Sequence, residues 1–312
     1  MNTGLLAIGL TTLDINAHPI DALTHTERAV LIKGLVCAPA GTAAGAALVA
    51  ARLGVSVALA GAVGDDMNGL FVRAGLDALG VDTRLLVTRP GETTSSTLLA
   101  VESDGRRSSF HRPGAGMAAP VDAAVVAVAR SSRFVHYAGV GGLTTDGGPG
   151  AELLAEAKAA DALVTCDLIG PRASAVEEIA RILPHVDYFM PSAAEAVFLS
   201  GTEDLSLAAR RFVDLGAKAC IIKNGRRGVL ALLDGEEHLV PAFAVDPVDT
   251  TSSGDSYCAG FIAALDRGWS PLDACRFAGM AAGLVAEGVG TLGALQDFDA
   301  TVAAMDRYPL AP

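Results

Sequence analysis

Aromatic residues make up only 5% of the 312-residue chain, with a single Trp, and basic residues are outnumbered, 23 Lys+Arg against 35 Asp+Glu, for a net charge of −12. Such a balance repels phosphate backbones and anionic lipid headgroups, and no run of Lys or Arg makes a local exception. The expectation is no nucleic-acid and no membrane partner. No apolar stretch reaches the roughly 20 residues that span a bilayer; Ala119–Ala129, for example, is broken by Asp122. The first ten residues carry no basic start of a signal peptide, so a cytoplasmic protein is expected. Five cysteines, an odd number without a C-x-x-C pair, suit neither a disulfide framework nor a zinc site and read as reduced core thiols.

Several motifs are missing as well. There is no G-x-x-x-x-G-K-[ST], which excludes a P-loop, and no G-x-S-x-G hydrolase elbow. One G-x-G-x-x-G string, Gly288–Gly293, follows a helix near the C-terminus, too late for the strand, helix and acid of a dinucleotide site, and reads as a loop.

What is present is a chain that is 51% hydrophobic, enough for a large core. At about 150 residues per domain, its length allows two domains or one large one. Short apolar runs predict strands at Leu5–Gly9, Val55–Ala60, Phe134–Tyr137, Leu163–Asp167, Tyr188–Met190 and Ala219–Lys223. Helical periodicity predicts helices at Ala43–Leu53, Gly69–Leu79, Asp122–Arg130, Ala151–Ala160, Ala175–Leu183, Ala193–Leu199 and Leu207–Leu215. Strand then helix, repeated, gives an α/β protein with a mostly parallel sheet covered on both faces. Two regions break the rhythm: a polar segment at about 12–37, and a hairpin in 92–112 around the turn Ser103–Arg106. Both are too short to be domains, and a small sheet acting as a lid on one domain of residues 1–312 accommodates them.

The most informative stretch runs from Val248 to Phe261, where the small polar turn Asp249-Thr250-Thr251-Ser252-Ser253-Gly254-Asp255 leads into an apolar helical run. Ser252–Asp255 should form the first turn, whose N–H groups lack intrahelical partners and sit at the positive end of the dipole, an anion site suited to a phosphoryl group. An ordinary N-cap with a dipole-matching acid has the same appearance.

Asp-Thr-Thr-x-x-Gly-Asp-Ser-x-x-Ala-Gly-Phe in that stretch resembles the C-terminal signature of the ribokinase-like (PfkB) carbohydrate kinases. Gly41–Gly54, with Gly61-Ala62-Val63-Gly64-Asp65-Asp66 and Gly80-Val81-Asp82-Thr83, is similar to the N-terminal signature of the same family. The resemblance extends from Asp14 to about Gly293. It implies a three-layer α/β/α fold with a β-sheet lid, and ATP- and Mg²⁺-dependent phosphorylation of a hydroxymethyl group on a sugar or sugar acid. A nucleoside kinase, or a family member that senses ligand without turnover, stands as the alternative. It further implies Asp255 as the general base, with Ser252, Ser253 and Gly254 completing the anion hole. Asp14, Gly41, Thr42 and Gly45 match substrate positions. Ser192, Glu195, Lys223, Gly225, Gly228 and Gly279 match positions around the nucleotide, with Glu195 organising Mg²⁺ through water and Asp249 and Thr251 holding a monovalent cation such as K⁺. Ser192 and Glu195 also read as an S-x-x-E capping box.

The chain departs from the family pattern where Gly45 and Ser192 replace Asn, where Ser252-Ser253 replaces Gly-Ala, and where Gly279 replaces an Asn near the adenine. Arg106, Arg107, His111 and Arg112 cluster in the proposed lid, where a guanidinium suits an acidic acceptor and an ordinary solvated turn is the alternative. Arg172, in Asp167-Leu168-Ile169-Gly170-Pro171-Arg172, follows a strand end and is a further substrate candidate. Edge strands of a lid can pair with a second subunit, which makes a homodimer through the lid the expected assembly.

Overall fold

The computed structural model describes residues 3–21, 27, 29–142, 144–146 and 150–311. Its first half contains β1 (Leu5–Gly9), β2 (Thr12–His18), β3 (Gly34–Ala40), α1 (Thr42–Arg52), β4 (Val57–Gly64), α2 (Met67–Ala78), β5 (Leu86–Arg89), β6 (Ser96–Val101), β7 (Arg107–Arg112), β8 (Ala118–Pro120), α3 (Ala123–Ser131), β9 (Phe134–Val140) and β10 (Thr144–Asp146). Then follow α4 (Gly150–Ala159), β11 (Leu163–Leu168), α5 (Ser174–Ile182), β12 (Tyr188–Phe189), α6 (Ala193–Ser200), α7 (Leu205–Asp214), β13 (Ala219–Lys223), β14 (Val229–Leu233), β15 (Glu236–Val240), α8 (Ser253–Asp266), α9 (Pro271–Ala286) and α10 (Phe298–Arg307).

Alternate residues of the central strands enter opposite cores, because successive side chains on a strand point to opposite faces. Leu5, Ala7, Leu59, Phe134, Ala138 and Ile221 pack with α1, α8 and α9, while Leu6, Ile8, Ala60, Val135, Tyr137 and Ile222 pack with α4, α5 and α7. Burial on both faces explains why these strands read as unbroken apolar runs. Each fully buried Leu, Ile or Phe contributes about 1.5–3 kcal/mol. The sheet has nine strands in the order β15-β14-β13-β12-β11-β9-β1-β4-β5. The strands from β13 through β5 pair in parallel, and β14 and β15 add an antiparallel edge.

A separate four-stranded sheet, ordered β3-β2-β6-β7, is built from the two segments that break the strand-helix rhythm. The first strand of the expected hairpin starts at Ser96, and the polar segment yields two strands, the second reaching Ala40. Part of that segment, residues 22–26 and 28, lies outside the described residues. Four of the cysteines are buried and Cys37 is exposed, with no disulfide among the described residues. No helix among the described residues is long and apolar enough to cross a membrane.

Candidate active site

Most helices begin with a side chain that satisfies their first amides: Asp66, Asp122, Ser192, Asp204, Ser270 and Asp297 each accept from a backbone N–H one to three residues into the helix. The helices α1 and α8 differ. Their N-caps, Gly41 and Ser252, have φ values of 99° and 58° and make no side-chain cap bond. At Gly41 a Cβ would lie 2.5 Å from the Leu10 carbonyl, so only glycine fits there. Ser252 takes the left-handed region without that freedom, a strain of about 1 kcal/mol or more. The amides of Gly254 and Asp255 meet no acceptor among the described residues, whereas Ser256 N already reaches Ser252 O at 2.8 Å. The Ser253 hydroxyl is buried without a partner. The predicted anion hole is therefore a turn of open donors.

Helices α1 and α8 meet at this turn. A Cβ at Gly45 of α1 would lie 3.2 Å from Asp255 Oδ2 and 3.6 Å from Ser252 Oγ. Asp255 accepts no hydrogen bond, and burial pushes its pKa well up, with the Asp167, Asp14 and Glu195 carboxylates adding to the rise and Lys223 opposing it. Asp14, on β2, belongs to the same cleft: it accepts from Thr12 Oγ1 at 3.0 Å, and burial raises its pKa against the pull of Thr97, Thr12, His111 and Arg107. Thr42 lies in the first turn of α1 with its hydroxyl buried and unpartnered.

Beneath Asp255 lies a buried polar cluster that joins Lys223, expected near the nucleotide, to Asp167, His136 and Cys258. Lys223, at the end of β13, places Nζ 3.4 Å from Gly254 O, 3.5 Å from Cys258 Sγ and 3.8 Å from Asp167 Oδ2. Asp167 ends β11 and accepts from Gly139 N at 3.2 Å; burial raises its pKa to about 6. His136, on β9, lies 4.0 Å from Asp167, and burial lowers its pKa to about 3, so it is neutral and this contact is no ion pair. Its Nδ1 bonds the Thr165 hydroxyl at 2.9 Å. His136, Asp167 and Cys258 have the spacing of metal ligands. The Lys223 ammonium already supplies the positive charge there.

Glu195 and Ser192 form the predicted capping box. Glu195 Oε2 accepts from Ser192 N at 2.6 Å and Ser192 Oγ at 2.7 Å, and Oε1 accepts from Gly170 N at 2.6 Å. Serine thus does part of the work of the expected Asn by holding the carboxylate in place. An oxygen-only set of Glu195 with Asp167 and Asp255 nearby fits a hard Mg²⁺ held partly through water. Asp249 is different. Its Oδ1 accepts from Thr251 N at 2.9 Å and Thr251 Oγ1 at 2.5 Å, and its Oδ2 from Asn16 Nδ2 at 2.7 Å and Gly290 N at 3.1 Å. Four donors occupy this carboxylate, so it does not fit a monovalent-cation ligand.

Gly225 and Gly228 flank a short helical turn after β13 with φ values of 57° and 80°. Gly279, inside α9, is open on its Cβ side, with nothing within 4 Å. Arg172 is exposed in the turn before α5 and makes no side-chain bond among the described residues. On the smaller sheet Asp14, Thr97 and His111 are cross-strand neighbours on one face, and the alternation places Arg107 on that face too. Thr97 Oγ1 and His111 Nδ1 are 3.1 Å apart, and Arg107 Nη1 donates to Thr250 Oγ1 at 2.5 Å. Arg106 turns away to Asp104 and Glu102. Asn16, Asp167 and His136 are the site residues that sequence reasoning missed, and only Asp167, at a strand end, carried a local signal.

The comparisons agree with this architecture. A nucleoside kinase of Methanothermobacter thermautotrophicus is 28% identical over 92% of this chain and 90% of its own. A fructokinase of Vibrio alginolyticus is 24% identical over 80% and 81%. The structure of Arabidopsis thaliana ribokinase complexed with ribose and ATP superposes with a TM-score of 0.79 at 23% identity, covering 98% of this chain and 99% of that one. The family model of the pfkB family carbohydrate kinases matches residues 2–297, nearly the whole chain. The chain therefore belongs to the pfkB family of carbohydrate kinases.

Proposed function

We propose that this kinase transfers the γ-phosphoryl group of ATP to a hydroxymethyl group of a sugar or sugar acid, with Asp255 as the general base and the Ser252–Asp255 turn as the anion hole. The observation that carries this reading is the Asp255 carboxylate. It accepts no hydrogen bond although Asp14, Asp167 and Glu195 around it all do, and it stands in the helix turn whose amides lack acceptors. A hydroxyl is a weak nucleophile until its proton can leave, and a bare carboxylate in the cleft is the acceptor for it. As the proton passes to Asp255, the hydroxyl oxygen bonds to the γ-phosphorus, the bond to the β-phosphate oxygen breaks, and ADP departs. The free amides face the charge carried by the transferring group. Mg²⁺, held through water by Glu195, supplies charge neutralisation on the phosphates when bound.

The smaller sheet serves as the lid, and residues 1–312 as one kinase domain. Its inner face offers Asp14, Thr97, His111 and Arg107, hydrogen-bonding and cationic groups that suit a polyhydroxylated, acidic acceptor. Phe110 pairs with Leu98 on the opposite face and is half exposed, so it cannot sandwich a nucleobase over Asp14. That outer face, with Leu35, Leu98 and Phe110 exposed, suits a second copy of the chain as its cover, a homodimer through the lid.

The test is ATP turnover across a panel of sugars, sugar acids and nucleosides. A phosphate ester on a primary hydroxyl of a sugar or sugar acid is expected. Turnover of nucleosides alone would move the activity to nucleoside phosphorylation, and tight binding without turnover would make the chain a sensor.

A further inference from the structure

A buried amide joins the smaller sheet to the loop that feeds α8. Asn16, on β2, is wholly buried, and its Nδ2 donates to Asp249 Oδ2 at 2.7 Å. A carboxylate oxygen only accepts, so the amide nitrogen must face Asp249 and Oδ1 must point the other way. There Oδ1 is buried without a donor among the described residues. An unmet buried acceptor costs stability, and an apolar side chain of that size would not incur the loss. The bond to Asp249 is what the amide supplies in return.

From Asp249 the path continues along the chain. Oδ1 of the same carboxylate accepts from Thr251 N at 2.9 Å and from Thr251 Oγ1 at 2.5 Å, and Thr250 O accepts from Ser253 N at 3.4 Å. Ser252, between Thr251 and Ser253, is held at a φ of 58°. On its other side Ser256 donates both N–H and hydroxyl to Ser252 O, at 2.8 and 2.7 Å. A non-glycine residue keeps a left-handed conformation only where its surroundings over-determine it. For Ser252 those surroundings are the Asp249 turn ahead and the first turn of α8 behind. Asn16 is where the support ahead passes from the loop into β2. Asp14 lies two residues earlier on the same face of that strand, about 6.6 Å away.

We infer that Asn16 is a positioning residue for phosphoryl transfer: through Asp249 it fixes the Ser252–Asp255 turn relative to the strand that presents Asp14. This rests on the reading of that turn as the anion hole and of Asp14 as an acceptor-binding residue. One strand then carries both the acceptor's grip and the bond that registers the open amides for the phosphoryl group. A misplacement of about 1 Å between two reacting groups can cost about 10²-fold in rate. The bond matters when both halves of the reaction are engaged, so its loss appears in kcat and leaves KM in place.

The experiment compares wild type, Asn16→Leu, Asn16→Ser, Asp122→Ala and Asp255→Asn at a temperature where all are folded. Each is measured by melting curve, by hydrogen exchange of the free protein over residues 250–256, and by kcat and KM with ATP and the best-used member of the sugar and sugar-acid panel. Asp122→Ala removes only the cap of α3 and controls for lost stability. Asn16→Leu should lower kcat at least about tenfold with both KM values within about twofold, and should speed exchange of the Thr251–Asp255 amides at least about tenfold. Asp122→Ala should melt lower and change neither. Should Asn16→Leu fail to fold, Asn16→Ser cuts the same bond with a smaller side chain, and its kcat should fall at least about threefold. Wild-type kcat in the folded Asn16 variants would reduce the amide to a structural bond and overturn the inference. So would a tenfold rise in KM for the acceptor at unchanged kcat, which would make Asn16 an acceptor contact, or an equal loss of kcat in Asp122→Ala. Full activity of Asp255→Asn, or no turnover of any panel member, would instead sink the reading of the reaction. Exchange over 250–256 then decides on Asn16 alone, and unchanged exchange would overturn its role.

Discussion

Two aspartates six residues apart, at the two ends of the loop that feeds α8, have opposite surroundings. Asp249 accepts four hydrogen bonds, from Thr251 N and Oγ1, Asn16 Nδ2 and Gly290 N; although burial acts to raise its pKa, these donors bring it below the usual carboxylate range. Asp255 accepts none, and burial drives its pKa upward. The first carboxylate ties the smaller sheet, the 249–251 turn and the Gly290 loop together. The second is left without partners in a cleft lined by acids. What separates the two acids is the supply of donors: a carboxylate fully satisfied by the protein has nothing left to offer a substrate.

The contrast can be broken from the structural end. Asp249→Ala leaves buried N–H donors of Asn16, Thr251 and Gly290 unpaired, and should lower stability by about 2–4 kcal/mol, read as the midpoint of chemical denaturation. A variant as stable as wild type would show that the four bonds do not hold the loop. At the bare end, Gly45→Ala brings a methyl to 3.2 Å from Asp255 Oδ2. The carboxylate must shift by a few tenths of an ångström, and kcat should fall by about five- to tenfold while the helix gains from the loss of a glycine. Unchanged kcat would mean that the carboxylate is not held against α1. Ser252→Gly relieves the left-handed strain at the α8 cap and should raise stability by about 0.5–1 kcal/mol; a loss would show that the Ser252 side chain contributes more than the strain costs. The smallest expected effect is none at all. Exchanging K⁺ for choline at constant ionic strength should leave both turnover and the melting temperature unchanged, because the Asp249 carboxylate is already occupied; a K⁺-specific rise in either would restore the cation site.

The fold was legible because each central strand is buried on both faces and each connecting helix carries its own period, so Leu5–Gly9 and Ala219–Lys223 could be placed residue for residue. The antiparallel pair β14 and β15 was missed, although Asp234-Gly235 between them, with φ values of 48° and 83°, is a turn pair that marks a two-residue hairpin. The α8 turn was legible from its composition: small polar residues directly ahead of an apolar run. The polar layer below it was not. Lys223, Asp167 and His136 sit on three strands whose ends come together only when the sheet forms, and Asn16 meets Asp249 across 233 residues. Nothing local in the sequence encodes such pairings. For Arg172, the position beside a strand end fixes the backbone but not where a long side chain in an exposed turn will go.

In the proposed reaction the bare carboxylate of Asp255 takes the acceptor's proton. The most direct measurement is kcat of Asp255→Asn at saturating ATP and acceptor, made beside its thermal melt. The amide preserves the shape of the side chain and removes its basicity, so turnover should fall at least about 10²-fold with the melting temperature unchanged or raised. Turnover close to that of wild type would contradict the account.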